Sequence, residues 1–229
     1  DSLAHLAHHL HGAPPPAGEP VQLYVQGANA WRGFARWPPA STPVRFHLHA
    51  GERLARAAPA DSAPDAFRYD PANPTPSVGG PLLADESAVM RFNHVLEARA
   101  DVLVYTTEPL AEDLEIIGTP EVELYVASSL DHADVFARVC DVAPTGKSVN
   151  VCDALVRVRP GEPARAADGT LRVRFALWPS AHRFVRGHAL RLQVSGGAHP
   201  RYARNLGTGE ALATATRMRA ADQCVFHDP

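Results

Sequence analysis

The stretch "DVFARVCDVAPTGKSVNVCDALVRVRPG", Asp134 to Gly161, decides the fold class. Apolar and polar residues alternate on both sides of Thr145-Gly146-Lys147, and that alternation over two runs with a glycine-bearing turn between them predicts an antiparallel hairpin. Cys140 and Cys152 lie symmetrically about Gly146. In a regular ladder they are therefore opposed, with Cα atoms about 4.5 to 5.5 Å apart. A disulfide is open to them, and a pair of buried free thiols is the reading favoured in a chain without a secretion signal.

Working outward, the same two-residue period recurs. "DVLVYTTEPL" (101–110) alternates, and "EIIGTPEVELYVASS" (115–129) predicts a strand interrupted at Gly118. "GTLRVRFALWPSAHRFVRGHALRLQVSGG" (169–197) supplies two strands separated by a loop from Pro179 to His188. Nearer the start, a strand runs to Gly27, a loop carries Trp31 and Trp37, "VRFHLHA" (44–50) forms another strand, and Gly51 turns the chain. From Pro59 to Pro81 prolines abound without periodicity, which predicts an extended, ordered surface loop. Seven or eight short strands with no helix of four turns between them indicate an all-β chain, an antiparallel sandwich of the jelly-roll type.

Composition narrows the function classes. The 229 residues are 45% hydrophobic, enough for a sizeable core, and 22 lysines and arginines stand against 25 acids for a net charge of −3. No block of like charge marks a nucleic-acid site. No apolar run approaches the roughly 18 residues of a membrane span, and the N-terminus lacks the features of a secretory signal, so a soluble, cytoplasmic protein is expected. The chain opens on Asp1 rather than Met and closes on His227-Asp228-Pro229 without an ending signal, which predicts a fragment.

The search for chemistry within the chain is mostly negative. "DSLAHLAHHLHG" spaces Leu3, Leu6 and Leu10 as an amphipathic helix stopped at Gly12. His5, His8 and His9 share its histidine-rich part, and His47 and His49 share one face of a strand, but neither group has a nearby carboxylate or cysteine to complete a metal set. No metal or other cofactor is expected. The Gly-x-Ser-x-Gly nucleophile elbow is absent. Its nearest imitation, Ser195 before Gly196-Gly197, has Gln193 where the first glycine belongs, and no helix follows to supply oxyanion donors. In "AHPRYARN" (198–205) the His199-Pro200 pair forces an extended turn, and Arg201, Arg204 and Asn205 offer donors to tie the following loop to strand ends. That reading is architectural.

Several segments in order carry a resemblance to a known family. "PVQLYVQGANAWRGFARWPP", "FRYDPANPTPSVGGPLL", "EARADVLVYTTEPLAEDLEIIGTPEVELYVASSLDHADVFARVCDVAPTGKSVNVCDALVRVR", "HRFVRGHALRLQVSGGAHPRYARNLGTGE" and the closing "HDP" resemble the C-terminal portion of the X-Pro dipeptidyl-peptidase and cocaine esterase-like (CocE/NonD) serine hydrolases. The resemblance implies an enzyme of three parts: an α/β-hydrolase domain with a Ser-His-Asp triad, a helical cap, and a C-terminal jelly roll of galactose-binding-like fold. The family cleaves esters, amides or Xaa-Pro peptides through an acyl-enzyme. Its triad precedes a segment like "DSLAHLAHHLHG", so catalytic residues in this chain are expected to be none.

The resemblance divides the chain into residues 1–50, the end of a hydrolase domain, and residues 51–229, the C-terminal domain. It implies the hydrolase and cap domains as partners, with a homo-oligomer open. The segment "VGGPLL" is too apolar to sit comfortably in water. Gly79, Gly80, Leu82 and Leu83 are accordingly the candidate substrate-pocket residues, with the start of the sandwich core as the competing role for the two leucines. The alternative function is a sugar-binding module of galactose-binding-like fold, for which Trp178 beside Pro179 is the best-placed aromatic.

Overall fold

The runs with the cleanest alternation form the longest strands of the computed structural model, which describes residues 2–82 and 89–227. Helix α1 (Ser2–His11) comes first. Strands β1 (Val21–Val25), β2 (Ala30–Phe34), β3 (His47–His49), β4 (Arg53–Ala55) and β5 (Asp65–Tyr69) follow. After the one-turn helix α2 (His94–Glu97) come β6 (Val102–Thr106), β7 (Leu114–Gly118), β8 (Glu121–Ser128), β9 (Ala133–Val142) and β10 (Ser148–Val158). The chain then forms β11 (Leu171–Ala176), β12 (Ser180–Phe184), β13 (Ala189–Ser195) and β14 (Ala221–Phe226).

Two principal sheets result, one of six strands in the order β10-β9-β13-β6-β4-β3 and one of four in the order β11-β8-β14-β5. Smaller two-stranded sheets pair β1 with β2 and β12 with β7. Because side chains alternate across a strand, one face of each principal sheet can be wholly apolar. Val135, Ala137 and Val139 of β9 and Leu190, Leu192 and Val194 of β13 join Val122, Leu124 and Val126 of β8 and Leu171 and Val173 of β11 in a single core. Each of the valines and leucines, fully buried, contributes about 1.5–3 kcal/mol. The chain is all-β.

Strand β9 is buried along its whole length, on both faces. Its second face carries Asp134, Phe136, Arg138 and Cys140, and it is roofed by loops that hydrogen-bond to it from residues 78–79, 93 and 205. This roof positions everything described in the next subsection.

The structure departs from the sequence expectations at several points. Residues 59–81 are not all loop, because β5 lies within them and sends Phe67 and Tyr69 into the core. The five residues of β5, set between Pro64 and Pro71, are too few for the alternation to stand out. Likewise β12 occupies the expected loop from Pro179 to His188 and pairs with β7, and Trp31 sits in β2 rather than in a loop. Strand β14, central in the four-stranded sheet, carried no expectation.

The cysteine register also needs correction. The ladder pairs Cys140 with Asn150 and Val139 with Cys152, with a bulge between Asn150 and Cys152. The extra residue of the bulge places the two cysteines diagonally rather than opposite each other. All three cysteines are free thiols, and burial pushes Cys140 and Cys152 up to about 12.

Candidate functional site

The segment from Thr75 to Leu82 crosses the second face of β9 and β10 and is fastened at both ends. Ser77 N–H donates to the His199 carbonyl at 2.7 Å, and His199 N–H donates to the Thr75 carbonyl at 2.8 Å. Gly80 and Val89 exchange both main-chain bonds, at 2.8 and 2.9 Å. Of the expected pocket residues, Gly79 and Gly80 are buried and Leu82 is half-buried, while Leu83 lies outside the described residues. The structure therefore brings Gly79, Gly80 and Leu82 together by sequence continuity on one roof segment.

Beneath that segment lies an ion cluster that the sequence reading missed. Arg138 is 0% exposed, and all five donors of its guanidinium are engaged. Nε and Nη2 donate to Asp153 Oδ2 at 3.0 and 2.8 Å. Nη1 donates to Asn93 Oδ1 at 2.8 Å and to the Val78 carbonyl, and Nη2 also reaches the Gly79 carbonyl at 3.3 Å. The other oxygen of Asp153 accepts from Arg201. Pairing of this kind is what makes a buried charge tolerable.

Asn150 completes the fastening. Its Oδ1 accepts from Arg91 N–H at 2.8 Å, and its Nδ2 donates to the Val89 carbonyl at 3.1 Å. Gly79 has φ +70°, and a Cβ there would stand 2.2 Å from Asn150 Oδ1. A side chain at Gly80 would meet Arg201 Nη1 at 2.5 Å. Both glycines are thus demanded by close approach of the roof to the polar groups below it. Downstream of the gap in the described residues, Val89, Met90, Phe92 and Val95 are exposed apolar side chains.

Arg201, Arg204 and Asn205 act as ties. Besides the Arg201–Asp153 pair, Arg204 Nη1 donates to the Pro71 carbonyl at 3.0 Å, and Asn205 Nδ2 donates to Asp134 Oδ1 at 2.8 Å. Ser195 is buried, and its hydroxyl donates to the Gly197 carbonyl at 3.0 Å. Gly196 lies against the Tyr69 ring, where a Cβ would come within 2.6 Å. This end of β13 is architecture.

One triad-like contact was not anticipated. Ser62 Oγ lies 2.8 Å from His227 Nδ1, and His227 Nε2 lies 2.8 Å from Asp65 Oδ2, which also accepts from the Tyr105 hydroxyl at 2.9 Å. Ser62 precedes a strand rather than a helix, so it lacks the oxyanion donors of an elbow. The arrangement follows from the β14–β5 ladder, which pairs Asp65 with Val225. It clasps the end of β14 to the start of β5.

The histidines of α1 serve locally, with His8 Nδ1 2.7 Å from the Ala13 carbonyl and the His5 ring tilted against that of His9. Among the described residues no group of three or more His, Cys, Asp or Glu is arranged to hold a metal ion. His49 Nε2 lies 3.0 Å from the Ala57 carbonyl. Trp178 is 54% exposed, and its main-chain N–H donates to the Asp153 carbonyl at 3.2 Å. Among the described residues, no helix is long and apolar enough to cross a membrane.

Residues 17–227 match the family described as the X-Pro dipeptidyl-peptidase C-terminal non-catalytic domain. The chain belongs to that family. The X-Pro dipeptidyl-peptidase C-terminal match covers both principal sheets and the whole roof, so the polar cluster lies inside the domain. The chain is similar to the cocaine esterase of Rhodococcus sp. (strain MB1 Bresler), 34% identical over 226 residues that cover 90% of this chain and 39% of that protein. Among solved structures it is similar to an aminopeptidase from a marine sediment archaeon, Thaumarchaeota archaeon, with a TM-score of 0.85 and 28% identity over 99% of this chain and 41% of that one. An α-amino acid ester hydrolase gives a TM-score of 0.84 and 26% identity over 98% of this chain and 42% of that one. The chain thus spans about two-fifths of the length of these relatives.

Proposed function

We propose that this chain is the non-catalytic C-terminal part of an acyl-transferring serine hydrolase, and that it shapes one wall of the substrate pocket while the Ser-His-Asp triad lies in the remainder of the enzyme. The parent reaction is hydrolysis of an ester, amide or Xaa-Pro peptide. The observation that carries the reading is the roof segment. A loop held on a fully buried ion cluster reaches the half-buried Leu82, and Val89, Met90, Phe92 and Val95 nearby are uncovered. A firmly tied loop beside exposed apolar side chains suits a wall that another domain completes.

In this reading residues 51–229 form a jelly roll of galactose-binding-like fold, and residues 1–50 close the hydrolase domain. Support for the second statement comes from α1, which buries none of its residues and exposes Leu3, Leu6 and Leu10. Trp31, 70% exposed beside Tyr24, suits the same covering domain. The reading places the enzyme in the cytoplasm, in keeping with three free thiols.

The test is Leu82→Trp in the full-length enzyme. The ratio of kcat/KM for p-nitrophenyl benzoate over p-nitrophenyl acetate should change by about tenfold, the size expected when one pocket wall is altered, with the melting curve nearly unmoved. An unchanged ratio accompanied by lost stability would assign Leu82 to the core and remove the pocket role.

A further inference from the structure

The proposed pocket role leaves open what fixes the roof segment in place, and the geometry points to Arg138 as its positioning residue, with Asn150 as its support. The inference rests on the reading that residues 78–82 face the substrate. A buried guanidinium needs partners for five N–H groups, and a carboxylate with one amide carbonyl can take only part of them. Here Asp153 and Asn93 take three, and the remaining two go to main-chain carbonyls of adjacent residues, Val78 and Gly79. Binding two successive carbonyls from one planar fork fixes the orientation of the two peptide units on either side of Gly79, and hence the direction in which Gly80 and Leu82 leave the cluster.

Asn150 holds the returning strand of the same roof by the Arg91 amide and the Val89 carbonyl. The β-bulge between Asn150 and Cys152 resets the pairing there, with Asn150 beside Cys140 and Cys152 beside Val139. It adds one residue to β10 between Asn150, which grips the roof, and Asp153, which grips Arg138. Bulges commonly re-aim side chains in this way. The cluster is therefore a rigid seat for one specificity loop, built from central-strand residues rather than from the loop itself.

The discriminating variant is Arg138→Lys in the full-length enzyme. A lysine ammonium keeps a charge opposite Asp153, but three donors on one nitrogen cannot also span Asn93 and both carbonyls. Two readouts are taken: the benzoyl-to-acetyl selectivity of p-nitrophenyl esters, separated into kcat and KM, and hydrogen exchange of the amides of residues 79, 80 and 82. We expect the selectivity to fall about tenfold through a raised KM for the benzoyl ester, and those amides to exchange at least tenfold faster. Asn150→Ala, read in the same two ways, should shift both in the same direction and takes the place of Arg138→Lys if the latter does not fold. Unchanged selectivity in both variants, while Leu82→Trp does alter it, overturns the positioning role alone. Unchanged selectivity in Leu82→Trp overturns the pocket reading and this inference with it.

Discussion

Replacing Gly79 with alanine tests how closely the roof presses on the sheet. Two costs add. At φ +70° an L-residue pays about 1–2 kcal/mol for the left-handed conformation. The new Cβ would also stand 2.2 Å from Asn150 Oδ1 and 2.7 Å from the Val89 carbonyl, and relieving such overlap in a packed site costs about 1–3 kcal/mol. The total is about 2–5 kcal/mol. Gly146→Ala supplies the control, because φ there is +80° and nothing lies within 4 Å of the built Cβ, which leaves only the backbone part. Urea unfolding of the two variants, followed by tryptophan fluorescence, should place Gly79→Ala about 1–3 kcal/mol below Gly146→Ala. Adding Asn150→Ala to Gly79→Ala should recover part of that difference, a non-additivity expected only of touching groups. Equal costs for the two alanines, with no coupling to Asn150, would refute the close seat of the roof.

Three further outcomes follow from the same structure. Asn205→Ala removes the bond to Asp134 and the acceptor of the Gly207 amide at 3.0 Å, and it should lower stability by about 1–3 kcal/mol in the same assay. The thiols of Cys140 and Cys152 should stay closed to a disulfide reagent until unfolding, with Cys224 reacting first; labelling followed by peptide mapping reads the order. Folding favours the neutral form of both buried thiols, so their contribution is complete below the ordinary value of 9.0 and is lost as pH rises toward about 12. Each thiol then costs about 1.4 kcal/mol of stability per pH unit in that window, and urea midpoints that stay level from pH 9 to 11 would contradict the burial.

The fold was legible where a strand has one wet face or a clear turn. The hairpin about Gly146, the runs at 101–110 and 115–129, and the helix ended at Gly12 all show their period in the sequence. The candidate cluster was hidden by the same rule. Asp134 and Arg138 alternate with Val135, Ala137 and Val139, so β9 reads as half-buried, yet the face that carries them is roofed by residues from 45 to 71 positions away in sequence. Alternation records which face is apolar, and only tertiary partners decide whether the other face meets water. Ser62, Asp65 and His227 escaped notice for a related reason, being joined by a ladder between the ends of the domain. Gly79 and Gly80 were singled out by the apolar end of their loop, with which the resemblance agreed, and their physical need, close approach to Asn150 and Arg201, became visible only in three dimensions.

The central claim is that the nucleophile lies outside these residues while the chain builds part of the pocket around it. Treating the full-length enzyme with a fluorophosphonate and mapping the modified serine by peptide mass spectrometry tests this most directly. The account predicts a single adduct, coincident with loss of esterase activity, on a serine beyond the 229 residues described by this sequence. An activity-linked adduct on Ser62, beside His227 and Asp65, or on Ser195 would place the chemistry inside this chain and contradict the account.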